Sequence, residues 1–392
     1  MKILILGSGL MGPAAAYNAM IDPDVSQVIL CDQSQQQLDA ALARLKGMSG
    51  GEKLTTEALD LSQQAATVEL MAAFDAVVAA LPRAAIPYGM QAAAAAGKPL
   101  VDLSWPDEDQ LPAIVEAVEK AGTLIVPGCG VEPGLTEIMA RHLAEKLDRV
   151  DELHIKCGGV PEQPAPPLGY KIVFGGRQMP LRESDARIAE NGRLKSVPRY
   201  SGVQRTTFPG VGEVEAWHEG FMPWLLELDA LKGLKLGTQM TCRWPGYADK
   251  VSLLKEMGLL SLEPVEVDGL KVAPKKVLDA VLYPRVRLEE GERDITLFRV
   301  EALGIKKGRR RRYQIEMVDR YDDELGFTSM ARTTAFTGAI VARMIARGEI
   351  AARGFLTPEK IIGDDQFDTL LEELAAVNVR FSLTVEKEKA LN

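Results

Sequence analysis

The amino-acid sequence predicts an α/β protein of two kinds of layer. A doubly wound parallel-sheet domain comes first, and an α+β domain with a mostly antiparallel sheet follows. Three observations carry this reading. Up to Pro127, short aliphatic runs alternate with Ala-rich helical stretches, a pattern that implies parallel strands joined by right-handed crossovers. After Pro127 the strands are separated by turn signals, and the strands around Lys306-Lys307-Gly308-Arg309 read as a hairpin with that tip. From Ser329 to Arg347, Ala335, Ala339, Ile340, Met344 and Ile345 return to helical spacing. The expected boundaries are 1–128 for the first domain, 129–328 for the second, and 329–392 for a helical return onto the first.

Taken in order, Lys2–Leu6 reads as a strand and Met11–Asp22 as a helix. Gln27–Cys31 is a second strand, Ser34–Lys46 a polar helix and Lys53–Leu59 a weaker third strand. Ala76–Ala80 and Pro99–Leu103 flank a helix around Ile86–Ala96, and Thr123–Val126 is the last strand of the first domain. In the second domain Val150–Cys157, Tyr170–Phe174, Asp294–Leu303 and Arg311–Val318 read as strands. The proline-rich 162–167 reads as a loop, because proline donates nothing to a ladder.

Composition narrows the function classes. The chain has 392 residues and a formal charge of −9, which disfavours general nucleic-acid binding. Three histidines and four cysteines, none spaced as a ligand pair, point to no metal site and no disulfide framework, and so to a reducing, cytoplasmic setting. No run approaches the roughly 20 apolar residues of a membrane span, so no membrane partner is expected. With so few histidines, a catalytic base is expected among the carboxylates, the lysines or one histidine.

Gly7-Ser8-Gly9-Leu10-Met11-Gly12 is a complete GxGxxG between a strand and a helix, and Asp32 ends the next strand 20 residues later. That combination is the fingerprint of a Rossmann-type dinucleotide site. Gly7 permits the tight turn, Gly9 lets backbone N–H groups approach a pyrophosphate, and Gly12 lets the helix press on the sheet. Asp32 can accept both ribose hydroxyls and repels a 2′-phosphate, while Gln33 and Ser34 offer no arginine to hold one, so NAD is expected as cofactor. Asp60 and Leu61 are expected near the adenine, and Ala80, Leu81 and Pro82 near the nicotinamide ribose. The other reading is a glycine-rich turn in a flavodoxin-like fold.

Several blocks resemble the saccharopine dehydrogenase-like family, and within it the lysine-oxidising members. They are the segment Ala96–Trp105, the turn Pro127-Gly128-Cys129-Gly130-Val131-Glu132-Pro133-Gly134, and Cys157-Gly158-Gly159-Val160-Pro161 with Pro167–Lys171. Phe208–Ala216, Arg243-Trp244-Pro245-Gly246, Met330–Gly338 and Gly354–Glu359 continue the likeness. Glu132 stands where saccharopine-forming members usually carry Asp, Trp105 where they carry Tyr, and His218–Gly237 departs from the pattern. The resemblance implies hydride transfer from the ε-carbon of lysine to NAD, followed by hydrolysis to ammonia and an aldehyde that cyclises. Its alternatives are reductive condensation of an amine with an aldehyde, as in saccharopine or carboxynorspermidine formation, and a non-catalytic NAD-binding regulatory protein. A small amine or amino acid is the expected partner, in a homo-oligomer (dimer or tetramer).

An amine loses hydride only as the free base, so the chemistry needs a positioned proton acceptor. Glu132, in the turn after the last strand, is one candidate; its other reading is a helix N-terminal carboxylate. Asp102, ending the fifth strand, is another, for catalysis or for the cofactor, unless it only accepts from turn N–H groups. Cys157 is a third catalytic candidate by its family position, or a packed thiol. For substrate, Arg243 offers a fork for a carboxylate or a buried ion pair, and Lys171 a counter-charge or a solvated strand lysine. Trp105 and His218 are expected to line the pocket. The basic run Lys306–Arg312 reads as a solvated hairpin tip rather than a phosphate site.

Overall fold

The protein is described from a computed structural model, covering residues 1–174 and 179–387. In chain order the first part runs β1 (Lys2–Leu6), α1 (Gly12–Met20), β2 (Gln27–Asp32), α2 (Gln35–Leu45), β3 (Leu54–Ala58), α3 (Gln64–Ala72), β4 (Ala76–Ala79), α4 (Ile86–Ala96), β5 (Leu100–Asp102), α5 (Leu111–Ala121), β6 (Leu124–Val126) and α6 (Leu135–Glu145). The middle holds β7 (Arg149–Pro161), β8 (Ala186–Glu190), β9 (Arg193–Val197), β10 (Gln204–Phe208), β11 (Gly212–His218), β12 (Leu236–Arg243), α7 (Tyr247–Glu256), β13 (Val265–Val267), β14 (Leu270–Val272), α8 (Pro274–Val286), β15 (Asp294–Lys306) and β16 (Arg309–Arg320). The last part holds α9 (Ser329–Ala331), a π-helical turn over Arg332–Phe336, α10 (Thr337–Ala346), β17 (Gly354–Phe355), α11 (Pro358–Ile361), α12 (Asp364–Ala376) and β18 (Ser382–Lys387).

The chain divides into two compact units, 1–138 with 331–380 and 139–330 with 381–392. In the first, a seven-stranded parallel sheet runs β17-β6-β5-β4-β1-β2-β3. Without β17 this is the 3-2-1-4-5-6 order of a doubly wound dinucleotide-binding sheet. β1 lies between β2 and β4, so Ile3, Leu4, Ile5 and Leu6 are all buried, as covered parallel strands require. A buried ion cluster ties the returning helices to α1 in this unit. Arg343 and Arg347 of the α10 end meet Asp22 and Glu373, and Arg343 Nη2 also donates to Asn18 Oδ1 at 2.9 Å.

The second unit is built on a nine-stranded mixed sheet. Its main path is β10-β11-β12-β7-β15-β16-β18, with β8 on β12 and β9 on β8. Only β12 and β7 pair in parallel; the other ladders are antiparallel. The expected hairpin tip is present, with Lys307 and Gly308 at positive φ as its two-residue turn needs. Lys306 meets Asp148, and Arg312 meets Glu301 and Glu386.

Two expectations differ from what is observed. Tyr170–Phe174 forms no strand: Ile172 alone bridges to Arg287, and Tyr170 and Ile172 are buried in the cluster under α7 and α8. An apolar run of that length satisfies core burial as well as a ladder, and burial won here. The segment 329–392 is not wholly a helical return to the first unit. β17 extends the parallel sheet, whereas β18 leaves it to pair with β16. Its period-two alternation, Ser-Leu-Thr-Val-Glu-Lys, is a strand pattern.

Candidate functional site

In the first unit the GxGxxG is a backbone cradle. Gly7 has φ +92° and a side chain there would strike Ala80 O at 2.4 Å. A Cβ on Gly12 would fall 1.7 Å from Gly7 O, so only glycine lets α1 start this close to the loop. At Gly9 a Cβ would meet nothing within 4 Å, so open space lies beside the loop backbone. Asp32 is fixed by Ser8 N–H to Oδ2 at 2.7 Å and Ser34 N–H to Oδ1 at 2.9 Å. Ser8 Oγ is buried without a partner in the protein. The open face at Gly9, the orphaned hydroxyl and the aimed carboxylate fit a dinucleotide. Leu10 is exposed; Met11 and Gln33 flank the glycine loop and Asp32. Asp60 is an exposed turn residue whose Oδ1 accepts from Ser62 N–H at 2.9 Å, next to half-buried Leu61. Ala80, with Leu81 and Pro82 following, leaves the β4 end, its N–H on Leu6 O at 2.8 Å.

Asp102 is fully buried at the end of β5. Oδ1 accepts from Ser104 N–H at 2.8 Å, while Oδ2 has no partner in the protein. Burial pushes its carboxyl up to about 8, against the lowering effect of that hydrogen bond. Glu132 is half-buried in a closed turn from Gly130 to Gly134, with Gly130 N–H on Pro133 O at 2.9 Å and a cis Glu132–Pro133 bond. Gly134 has φ +133°, and a Cβ there would lie 2.2 Å from Gly130 O. Trp105 stands edge-on to Phe355 at 5.9 Å between ring centroids, and a Cβ on Gly128 would meet its ring at 3.5 Å.

Sequence reasoning missed Glu137. It is fully buried and accepts from Gly134 N–H at 2.6 Å and Thr136 Oγ1 at 2.8 Å, which locks the turn carrying Glu132. Burial raises its carboxyl to about 8, and the charges of Glu132 and Glu359 add to that. A glutamate in the first helical turn, three residues after the turn glycine, is the capping pattern that could have found it. Buried Glu359, accepting from Thr357 Oγ1, had no such local signal.

The second unit gathers an aromatic box around a buried guanidinium. Arg243 is 4% exposed; Nη1 donates to Cys242 O at 2.8 Å and Nε has no partner in the protein. Its guanidinium lies 4.6 Å from the Tyr170 ring centroid and 5.9 Å from that of Tyr247. Trp217 stacks on Tyr247 at 5.1 Å, and Tyr170 meets Tyr247 edge-on at 5.7 Å. Tyr247 is placed by Glu215, whose two oxygens cap α7 through Gly246 N–H (2.7 Å) and Ala248 N–H (2.6 Å). Any Cβ at Gly158 would fall 2.8 Å from Arg243 Nη1, so that glycine makes room for the guanidinium. No carboxylate forms an ion pair with Arg243 among the described residues, whereas buried Arg199 is held by Glu219.

The other second-unit candidates fall apart from this box. Lys171 is committed to Glu292 at 2.9 Å and Arg287 O at 3.1 Å. His218 follows Trp217 on β11 and so points to the opposite face; its ring sits where a Cβ on Gly202 would be, and burial lowers its pKa. Cys157 is a buried thiol on β7, level with Thr241 on one side and Phe298 on the other. Among the described residues no His, Cys, Asp and Glu side chains gather as a metal site, and no helix is long and apolar enough to cross a membrane.

A sheet in 3-2-1-4-5-6 order, a glycine cradle and an acid ending β2 define a nicotinamide-dinucleotide oxidoreductase fold. Residues 3–125 match the family model described as the saccharopine dehydrogenase NADP binding domain, and residues 130–379 the one described as the saccharopine dehydrogenase C-terminal domain. The chain belongs to the saccharopine dehydrogenase family. It is 23% identical to a carboxyaminopropylagmatine dehydrogenase of Synechocystis sp., over 93% of each chain. It is 24% identical to the NADP(+), L-glutamate-forming saccharopine dehydrogenase of Schizosaccharomyces pombe, over 95% of this chain and 97% of that one. The solved L-Glu-forming saccharopine dehydrogenase of Saccharomyces cerevisiae superposes with a TM-score of 0.80 at 18% identity, covering 98% and 99% of the two chains. The protein is thus an oxidoreductase of a family acting at carbon–nitrogen bonds between amines and aldehydes.

Proposed function

We propose that the protein is an NAD-dependent dehydrogenase that oxidises the ε-amino carbon of L-lysine. In balance, the amine, water and NAD give an aldehyde, ammonia, NADH and a proton. When bound, the nicotinamide takes the hydride; every other task falls to the chain. One observation carries the choice of substrate: Arg243 is a buried guanidinium with aromatic walls and no carboxylate of its own. Such a group favours a ligand bearing one carboxylate on an aliphatic body, held through a planar fork.

Asp102 Oδ2 is our first proton acceptor, since it is buried, unpartnered and tuned to about 8. Glu132 is the second, taking the proton of the water that hydrolyses the imine, in a turn held by Glu137. Asp32 favours NAD over NADP, because a carboxylate fixed at both oxygens repels a 2′-phosphate. Trp105 shapes the surroundings of these carboxylates, Cys157 stays a packed thiol on β7, Lys171 is left to its ion pair, and His218 to its own side of β11.

A second reading is reductive condensation of an amine with an aldehyde. Two relatives matched along nearly their whole length carry names of that kind, and these favour it. The test is NADH formation across L-lysine, ornithine, diamines and saccharopine, with ammonia measured in parallel. The first reading expects NADH with lysine and ammonia in equal amount. NADH only from saccharopine, with no ammonia, would replace it with the second.

A further inference from the structure

The loops that follow the strands of the parallel sheet all open at one edge, the edge where doubly wound sheets take their ligands. Their charge is one-sided. Asp60, Asp107, Glu108, Asp109 and Glu132 stand on these loops, and Asp32 and Asp102 end two of the strands. Among the described residues, Arg83 is the one lysine or arginine on any of these loops. A dinucleotide brings the negative charges of its pyrophosphate into this acidic rim. The N–H groups of the glycine loop and the α1 dipole offset part of that charge, but neither carries a full positive charge.

The backbone brings Arg83 beside the glycine loop. A side chain on Gly7 would meet Ala80 O at 2.4 Å and Leu81 Cδ2 at 3.6 Å, so the chain leaving β4 rides on that loop. Arg83 follows Ala80 by three residues, which span at most about 11 Å. Ala85 N–H closes a turn on Pro82 O at 2.8 Å, and Arg83 opens the single 3-10 turn that leads into α4. α4 itself is packed close, since a Cβ on Gly89 would fall 3.0 Å from Leu81 Cδ1. The guanidinium therefore stands on a short, braced segment next to the cradle.

Its partner in the structure is weak. Arg83 Nε lies 3.0 Å from Asp107 Oδ1, on the loop after β5, and the two side chains are 66% and 46% exposed. An ion pair so open to water contributes little and is readily exchanged. A phosphate offers the same guanidinium two parallel N–H···O bonds.

We propose that Arg83 binds the pyrophosphate of the cofactor and leaves Asp107 when the dinucleotide enters. Asp107 keeps the guanidinium at the rim until the phosphates replace it. The pyrophosphate is common to NAD and NADP, so the assignment holds for either cofactor and for any amine. It rests on the dinucleotide reading of the glycine cradle.

The test is calorimetric titration of the full-length protein with ADP-ribose and with NAD. Adenosine, followed by NMR, is the phosphate-free probe. Arg83→Gln should weaken ADP-ribose and NAD about tenfold at low salt, the lower end for a charge-assisted contact, and leave adenosine unchanged. The loss should shrink at about 0.5 M salt, because the contact is exposed. Arg83→Lys should recover part of it. Asp107→Asn should tighten both ligands about two- to fivefold by removing the competitor. An Arg83→Gln protein that binds ADP-ribose as the parent does would overturn the proposal, as would an equal loss for adenosine. Failure of Asp107→Asn to tighten binding would overturn the exchange. A parent that binds neither ADP-ribose nor adenosine would overturn the reading of the cradle, and the proposal with it.

Discussion

Replacing Arg243 with methionine removes the guanidinium while keeping an unbranched side chain among Tyr170, Tyr247 and Trp217. The parent's Nη1 bond to Cys242 O leaves Nε open to a ligand. A charge-assisted hydrogen bond to a desolvated carboxylate contributes about 1.5–3 kcal/mol, or roughly 10- to 150-fold in kcat/KM. The carboxylate-free analogue 1,5-diaminopentane supplies the internal comparison. The parent should prefer L-lysine over the diamine by that factor, and Arg243→Met should erase the preference by losing activity on lysine alone. Arg243→Lys should recover only part, since an ammonium cannot make the planar fork. Equal losses on lysine and diamine would mean that Arg243 only supports the box. An unchanged preference would remove it from the substrate site.

Four other outcomes follow from the geometry. Asp32→Ala should lower kcat/KM for NAD about tenfold or more and narrow its advantage over NADP; a parent that uses NADP equally well refutes the role given to Asp32. Glu132→Gln should cut turnover at least 100-fold with little change in NAD affinity from fluorescence titration, and equal turnover would clear Glu132. Asp102, raised to about 8 when folded against about 4 unfolded, costs stability as pH rises between those values and no further above them. Asp102→Asn should therefore gain thermal stability over the parent between pH 5 and 9, while the parent's oxidation rate climbs as pH passes about 8; a flat rate over that range contradicts the proton acceptor. Asp22→Ala leaves buried Arg343 with Glu373 as its one carboxylate and should lower unfolding free energy by about 1–3 kcal/mol in urea titration, against a loss under about 0.5 kcal/mol if the Asp22 contacts are only decorative.

Much of the first unit was legible from local pattern. The glycine spacing, Asp32 and the alternation of strand and helix are read within a few residues, and the observed φ at Gly7 and crowding at Gly12 are what those glycines imply. Asp102 and Glu132 could be placed because both end strands or sit in a Pro-Gly turn. The buried groups around them could not: Glu359 acts on Cys129 and Glu137 from more than 200 residues away in sequence, and only folding brings their charges together. The aromatic box was invisible for the same reason, since Tyr170, Trp217 and Tyr247 come from a loop, a strand and a helix far apart in sequence. Tyr170–Phe174 shows how an apolar run misleads, because burial without a ladder leaves the same residues in the sequence.

The central claim is that a primary amine is oxidised and released as ammonia. It is tested most directly by counting NADH and ammonia formed per L-lysine consumed, in one reaction vessel. The account predicts one of each for every lysine. NADH without ammonia, or activity that appears only when an aldehyde and an amine are supplied together with reduced cofactor, would contradict it.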